Sequence, residues 1–152
     1  MKKRLFSILL ALCMVFCLVP VTVHAEGETG VSINDTNFPD ANFSKFVAEQ
    51  FDKDGDGYLS DAEIAAVTLI DVNRQGFSDL TGIGYFTALK ELRCYRNQLT
   101  SLDVSQNIYL DSLYCDNNQL TSLDVSSNTA LEYLHFSDNQ LTSRWTYRKT
   151  RR

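Results

Sequence analysis

From Leu89 onward, apolar and polar positions follow one pattern that returns every 21 residues. Leu89-Lys-Glu-Leu-Arg-Cys-Tyr-Arg-Asn-Gln-Leu99, Leu110-Asp-Ser-Leu-Tyr-Cys-Asp-Asn-Asn-Gln-Leu120 and Leu131-Glu-Tyr-Leu-His-Phe-Ser-Asp-Asn-Gln-Leu141 superpose without a gap. Leu92 and Cys94 alternate with Glu91, Arg93 and Tyr95, which predicts a short half-buried strand in each copy. The second half of each copy, residues 100–107 and 121–128, is polar with one or two apolar positions. It is too rich in Ser, Thr, Asp and Asn for a helix, so extended or tight-turn backbone is expected there. A looser copy precedes these, with Val67, Ile70, Val72, Phe77 and Leu80 matching Leu89, Leu92, Cys94, Leu99 and Leu102 at a shift of 22. A fixed period of this length predicts a solenoid, each unit burying its apolar edge only against its neighbours. The units are 67–88, 89–109, 110–130 and an incomplete 131–143.

Upstream the period changes. Phe43, Phe46, Val47 and Gln50 form a helical stripe, with Pro39 near its start. A second helix of about one and a half turns is expected over Asp61 to Ala66. Residues 26–36 read as a linker. The first 25 residues read as a secretory signal: Lys2, Lys3 and Arg4, an apolar run from Leu5 to Val21, then Val23-His24-Ala25. Cys13 and Cys17 lie in poor contexts for lipid attachment. No other stretch is apolar over a bilayer's span, so no membrane span is expected in the mature chain.

The motif Leu-x-x-Leu-x-Cys-x-x-Asn-x-Leu resembles the leucine-rich repeat family. Leu80-Thr-Gly-Ile-Gly-Tyr-Phe-Thr-Ala-Leu89 resembles the first repeat of internalin-type bacterial surface proteins. The resemblance covers residues 67–143. It implies an α/β solenoid, a short leucine-rich repeat array with parallel β strands on the concave face, preceded by a small helical EF-hand-like cap. Asn97, Asn118 and Asn139 fall where the chain leaves the strand, where a buried side-chain amide can satisfy unpaired backbone groups.

Asp52-Lys-Asp-Gly-Asp-Gly-Tyr-Leu-Ser-Asp-Ala-Glu63 resembles the EF-hand calcium loop at every diagnostic position. Asp52, Asp54 and Asp56 stand at positions 1, 3 and 5, and Gly57 at the sharp bend. The Tyr58 carbonyl, Ser60 through water, and both oxygens of Glu63 complete an oxygen set for Ca2+. A lone site of this kind binds with a Kd on the order of 10⁻⁴–10⁻³ M, as in extracellular modules. That suits a structural clamp. Internalin-type proteins carry a helical cap related to the EF-hand, and by that resemblance residues 37–66 would be the cap, with calcium ligands retained.

Charge and cysteine narrow the function. Residues 26–143 hold all 19 acidic side chains against Lys45, Lys53, Arg74, Lys90, Arg93 and Arg96, so nucleic acid is excluded as a partner. Cys94 and Cys115 occupy the same repeat position, and sequence leaves open a buried thiol ladder or a bridge. Asp103 and Asp124 read as a solvated row, with metal binding as the alternative. No catalytic constellation appears: His24 leaves with the signal, and His135 is the sole histidine left. The chain therefore reads as a non-enzyme.

Recognition is expected where packing does not fix the side chain. Between copies the inward positions hardly change, whereas the outward strand positions read Asp71 and Asn73; Glu91, Arg93 and Tyr95; Ser112, Tyr114 and Asp116; Tyr133, His135 and Ser137. Tyrosines among charges suit an extracellular protein or glycan. The expectation is a secreted or cell-surface adhesion protein, or alternatively a non-catalytic targeting fragment of a larger secreted enzyme, or a calcium-binding structural module. After Ser143 the repeat gives way to a basic tail, Arg144-Trp-Thr-Tyr-Arg-Lys-Thr-Arg-Arg152. A coding string for that tail reads Leu-Asp-Val-Ser-Lys-Asn-Thr-Ala in another frame, the continuation the repeat predicts, so the tail reads as a frameshift. An uncapped last coil there would favour self-association.

Overall fold

A computed structural model describes residues 30–142; the expected signal at 1–25 and the tail at 144–152 lie outside them. Strand β1 (Gly30–Ser32) leads to helix α1 (Ala41–Phe51), strand β2 (Tyr58–Ser60) and helix α2 (Asp61–Ala66). Four strands of three residues follow: β3 (Leu69–Asp71), β4 (Glu91–Arg93), β5 (Ser112–Tyr114) and β6 (Tyr133–His135). They form one parallel sheet in the order β3-β4-β5-β6. Ile70 pairs with Leu92, Leu92 with Leu113 and Leu113 with Leu134, reproducing the 22-residue step and then the 21-residue steps of the sequence.

Stacking in register turns each repeat position into a column. Leu89 and Leu110, Leu92 and Leu113, Cys94 and Cys115, and Leu99 and Leu120 are wholly buried. Burial fades in the last described coil, where Leu134, Phe136 and Leu141 are only half-buried against the core. Full burial of such side chains is worth about 1.5–3 kcal/mol each, so the cap-proximal coils hold most of the apolar stabilisation.

Two asparagine ladders fasten the turns. Asn97 Oδ1 accepts the N–H groups of Gln75 (3.2 Å) and Phe77 (3.1 Å), while Nδ2 donates to the carbonyls of Val72 (2.8 Å) and Cys94 (3.0 Å). Asn118 and Asn139 repeat the scheme one coil further on. The second ladder lies in the polar half of the repeat. Asn107 Nδ2 donates to the carbonyls of Ile83 and Phe86, both at 3.0 Å, and Asn128 Nδ2 to those of Val104 and Asn107, both at 2.9 Å. Every Nδ2 named here reaches a carbonyl of the preceding coil.

The N-terminal elements seal the first coil with aromatic rings. Phe43 and Phe46 of α1 meet Phe77 at centroid distances of 5.9 and 6.1 Å, and Phe51 meets Phe86 at 5.1 Å. Asp40 caps α1, its Oδ1 accepting the N–H groups of Asn42 and Phe43, and its Oδ2 accepts the Ser78 hydroxyl at 3.1 Å. One side chain thus ends a helix and ties it to the array. Phe38, wholly buried, lies over Gly82, whose φ of 103° places it in the left-handed region. Two expectations change. Gln50 is exposed rather than part of the buried stripe, since the helix packs through Phe43 and Val47. Residues 26–36 are not all linker, because Gly30–Ser32 pairs antiparallel with Tyr58–Ser60, Val31 opposite Leu59.

Candidate functional site

The acidic loop is built between two fixed ends. Asp52 closes α1, and its Oδ1 accepts the N–H of Gly55 (2.7 Å) and of Asp56 (3.2 Å), its Oδ2 that of Gly57 (3.0 Å). Gly55 and Gly57 take φ values of 74° and 84°, which lets successive amides turn inward onto one carboxylate. At the other end Glu63 belongs to α2. Its Oε1 accepts the Lys53 N–H at 2.6 Å, and its Oε2 accepts both the N–H (2.9 Å) and the hydroxyl (2.8 Å) of Ser60. Ser60 is the N-cap of α2 in a reciprocal capping box. Strand β2 holds the middle, with Leu59 wholly buried.

Carboxylate oxygens of Asp52, Asp54 and Glu63 consequently lie within 4.8 Å of one another. Asp56 stands outside that trio, and its Oδ1 accepts the Tyr58 N–H at 2.8 Å. The Tyr58 ring is exposed. Desolvation, then the charges of Asp56 and Glu63, hold the Asp54 carboxyl above its ordinary range. Desolvation acts in the same sense on Glu63, but the hydrogen bonds from Lys53 and Ser60 together outweigh it and lower its pKa. Three converging carboxylates with like charges are chemistry for a hard cation.

The outward face of the parallel sheet carries the other expected site, the concave face. Arg93 bridges the first two coils, its Nε 2.7 Å from Glu91 and its Nη1 3.4 Å from Asp71. The hydrogen bond from Glu91, then its charge, raises the Arg93 pKa. Asn73 donates its side-chain amide to Asp71. Further along, the Tyr114 and His135 rings stack at 5.0 Å with an interplanar angle of 27°. Tyr133 is 57% exposed. Tyr95 and Asp116 are half-buried and Ser137 is exposed. Ser112 departs from expectation: it is buried, with its hydroxyl donated to Asp111 at 2.7 Å, so it supports the strand and offers little surface.

Asp103 and Asp124 line a groove of about 730 Å3 together with Asp79, Tyr85 and Gln106. Their carboxylates accept the N–H groups of Ser105 and Ser126, which lowers both pKa values and anchors them in local turns.

Cys94 and Cys115 are free, buried thiols. Burial, and secondarily the Asp116 charge, pushes Cys115 up to about 12, and burial drives Cys94 well up too. Both are therefore protonated and unreactive at neutral pH. A thiol reagent at pH 8 is expected to label neither in the native protein and both after denaturation. Because the folded pKa exceeds the unfolded one, their contribution is complete below about pH 8.5. For Cys115 it is lost as pH rises through the folded value near 12, and for Cys94 through a folded value that burial likewise raises, which alkaline melting would register.

The stacked coils and asparagine ladders behind a helical first segment together define a leucine-rich repeat solenoid. Internalin J of Listeria monocytogenes serotype 4b (strain F2365) is 42% identical over 86 residues, 57% of this chain and 9% of that protein. The functional domain of internalin J from Listeria monocytogenes, which includes a cysteine ladder, superposes with a TM-score of 0.68 at 38% identity over 77% of this chain and 26% of that one. The crystal structure of an internalin (inlF) from Listeria monocytogenes strain 4b F2365 matches in fold, with a TM-score of 0.64 at 24% identity over 76% of this chain and 34% of that one. No family model matches the chain. The chain spans 9% of the length of the curated relatives it matches. Among the described residues no helix is long and apolar enough to cross a membrane.

Proposed function

We propose that this chain is a secreted or cell-surface bacterial leucine-rich repeat protein that binds an extracellular protein or glycan through the outward face of its parallel sheet. The observation that carries the reading is the contrast along each strand. Inward strand positions stay apolar and are buried through the third coil, while their neighbours change from coil to coil and present tyrosines and charges. Variation confined to positions free of packing duty is what a recognition surface needs. The similarity to internalin J supports the same class of function. Substituting Arg93, Tyr95, Tyr114 and Tyr133 together with alanine should abolish attachment to host cells or matrix without unfolding the protein. Retained attachment would refute the reading.

The second element of the proposal is a structural calcium ion in the loop. Asp52, Asp54 and Glu63 fit a hard cation by the convergence of their oxygens, and Asp56, the Tyr58 carbonyl and Ser60 would complete the set. The ion would supply charge compensation where three carboxylates face one another. At roughly millimolar calcium, mass action adds only about 0.4–1.4 kcal/mol for a Kd of 10⁻³–10⁻⁴ M. Calcium should therefore raise the melting temperature of the wild type by a few degrees and leave an Asp52→Ala/Glu63→Ala variant unchanged. Equal shifts in both proteins, or none in either, would remove the ion from the proposal.

A further inference from the structure

The outward face is electrically divided along the array, and that division names its partner. Strand residues and the rows beside them stack in register: Lys90, Asp111 and Glu132 at the strand entrance, and Arg74, Arg96, Asn117 and Asp138 at the exit. In the first two coils Arg74, Lys90, Arg93 and Arg96 outnumber Asp71 and Glu91. Arg93 is already spent on those two acids. In the next two coils the rows hold Asp111, Glu132 and Asp138, Asp116 lies between strand β5 and the exit row, and residues 110–142 contain no lysine or arginine at all. By register these acidic positions flank the strands that carry the Tyr114–His135 stack and the exposed Tyr133 ring.

We infer that the distal half of this face docks a lysine- or arginine-rich protein segment. The inference rests on the sheet-face reading above and adds the chemistry of its partner. Exposed tyrosine faces attract cationic side chains through their π electrons, and flanking carboxylates supply paired charge at the rim. The cationic rows of the first two coils repel such a segment, so the bound strand is confined to coils three and four and its direction of approach is set.

The test uses the full chain and a decalysine peptide as probe. In one variant, Asp111→Asn, Glu132→Gln and Asp138→Asn remove three charges and keep side-chain shape. In a control, Asp35→Asn, Glu49→Gln and Asp79→Asn remove three charges elsewhere. The distal variant should bind decalysine about tenfold more weakly, a 1.4 kcal/mol loss, and the control within twofold of wild type. Tyr133→Ala should also weaken binding several-fold. Equal weakening in both triple variants means general acidity and overturns the inference, as does no change in either. Attachment to cells separates the two levels. If the Arg93/Tyr95/Tyr114/Tyr133 variant loses attachment while the distal triple variant binds decalysine like wild type, the face is a recognition surface but its partner is not cationic. If that quadruple variant attaches normally, the sheet-face reading itself fails.

Discussion

Asn118→Ala should destabilise the protein by about 3 kcal/mol, a large share of the roughly 5–15 kcal/mol a domain of this size possesses. The side chain is 7% exposed and sits between two turns. Its Oδ1 accepts the Leu99 N–H at 3.1 Å, and its Nδ2 donates to the carbonyls of Cys94 (2.9 Å) and Cys115 (3.1 Å). After truncation those carbonyls keep the amides of Asn97 and Asn139, at 3.0 Å each. The Leu99 N–H loses its acceptor, and a buried unpaired donor alone costs about 1–3 kcal/mol. Two lost donations and a small void supply the rest. Denaturant titration should show the fall, whereas Gln119→Ala, at the exposed neighbouring position, should stay within about 0.5 kcal/mol. A near-neutral Asn118→Ala would mean the ladder follows the turn without stabilising it.

Gly82→Ala should be similarly severe, about 3–4 kcal/mol, for a different reason. A Cβ there would stand 2.4 and 2.5 Å from two carbons of the Phe38 ring and 2.6 Å from the Asn37 carbonyl oxygen. The ring cannot swing away, being wholly buried and packed on Phe43 and Tyr85 at 6.0 and 5.7 Å. Overpacking contributes about 1–3 kcal/mol and the left-handed φ about 1–2 kcal/mol. Thermal melting of Gly82→Ala, Phe38→Leu and the double variant separates the parts. If the clash dominates, the double variant is less destabilised than the two single effects added together. Strict additivity would assign the whole cost to the backbone.

Most of the array was legible because one rule, burial against the adjacent coil, is written at every repeat of Leu92, Cys94 and Asn97. The step of 22 and then 21 emerged as strand register for that reason. Where burial does not repeat, or where it takes in polar residues, the sequence was silent. Gly30–Ser32 is three residues long and takes its partner from a loop far along the chain, so no local period announces it. Asn107 and Asn128 sit in a stretch rich in serine and aspartate, and composition there suggests surface. Their burial comes from packing across coils, leaving each Oδ1 buried without a hydrogen-bonding partner in the protein. Ser112 looked outward by alternation, but Asp111 folds its hydroxyl into the strand entrance. At the loop, residue spacing located Asp52, Asp54 and Glu63; it did not reveal that Ser60 and Lys53 already engage both Glu63 oxygens.

The asparagine amides all reach backward. Asn118 takes the Cys94 carbonyl and Asn139 that of Cys115, just as Asn128 takes those of Val104 and Asn107. A coil is thus moored by acceptors its predecessor already exposes, and it presents the same berth to whatever comes after. Growth by whole units is thereby permitted at the far side alone, while the aromatic plug beneath Phe77 and Phe86 forbids it at the near one.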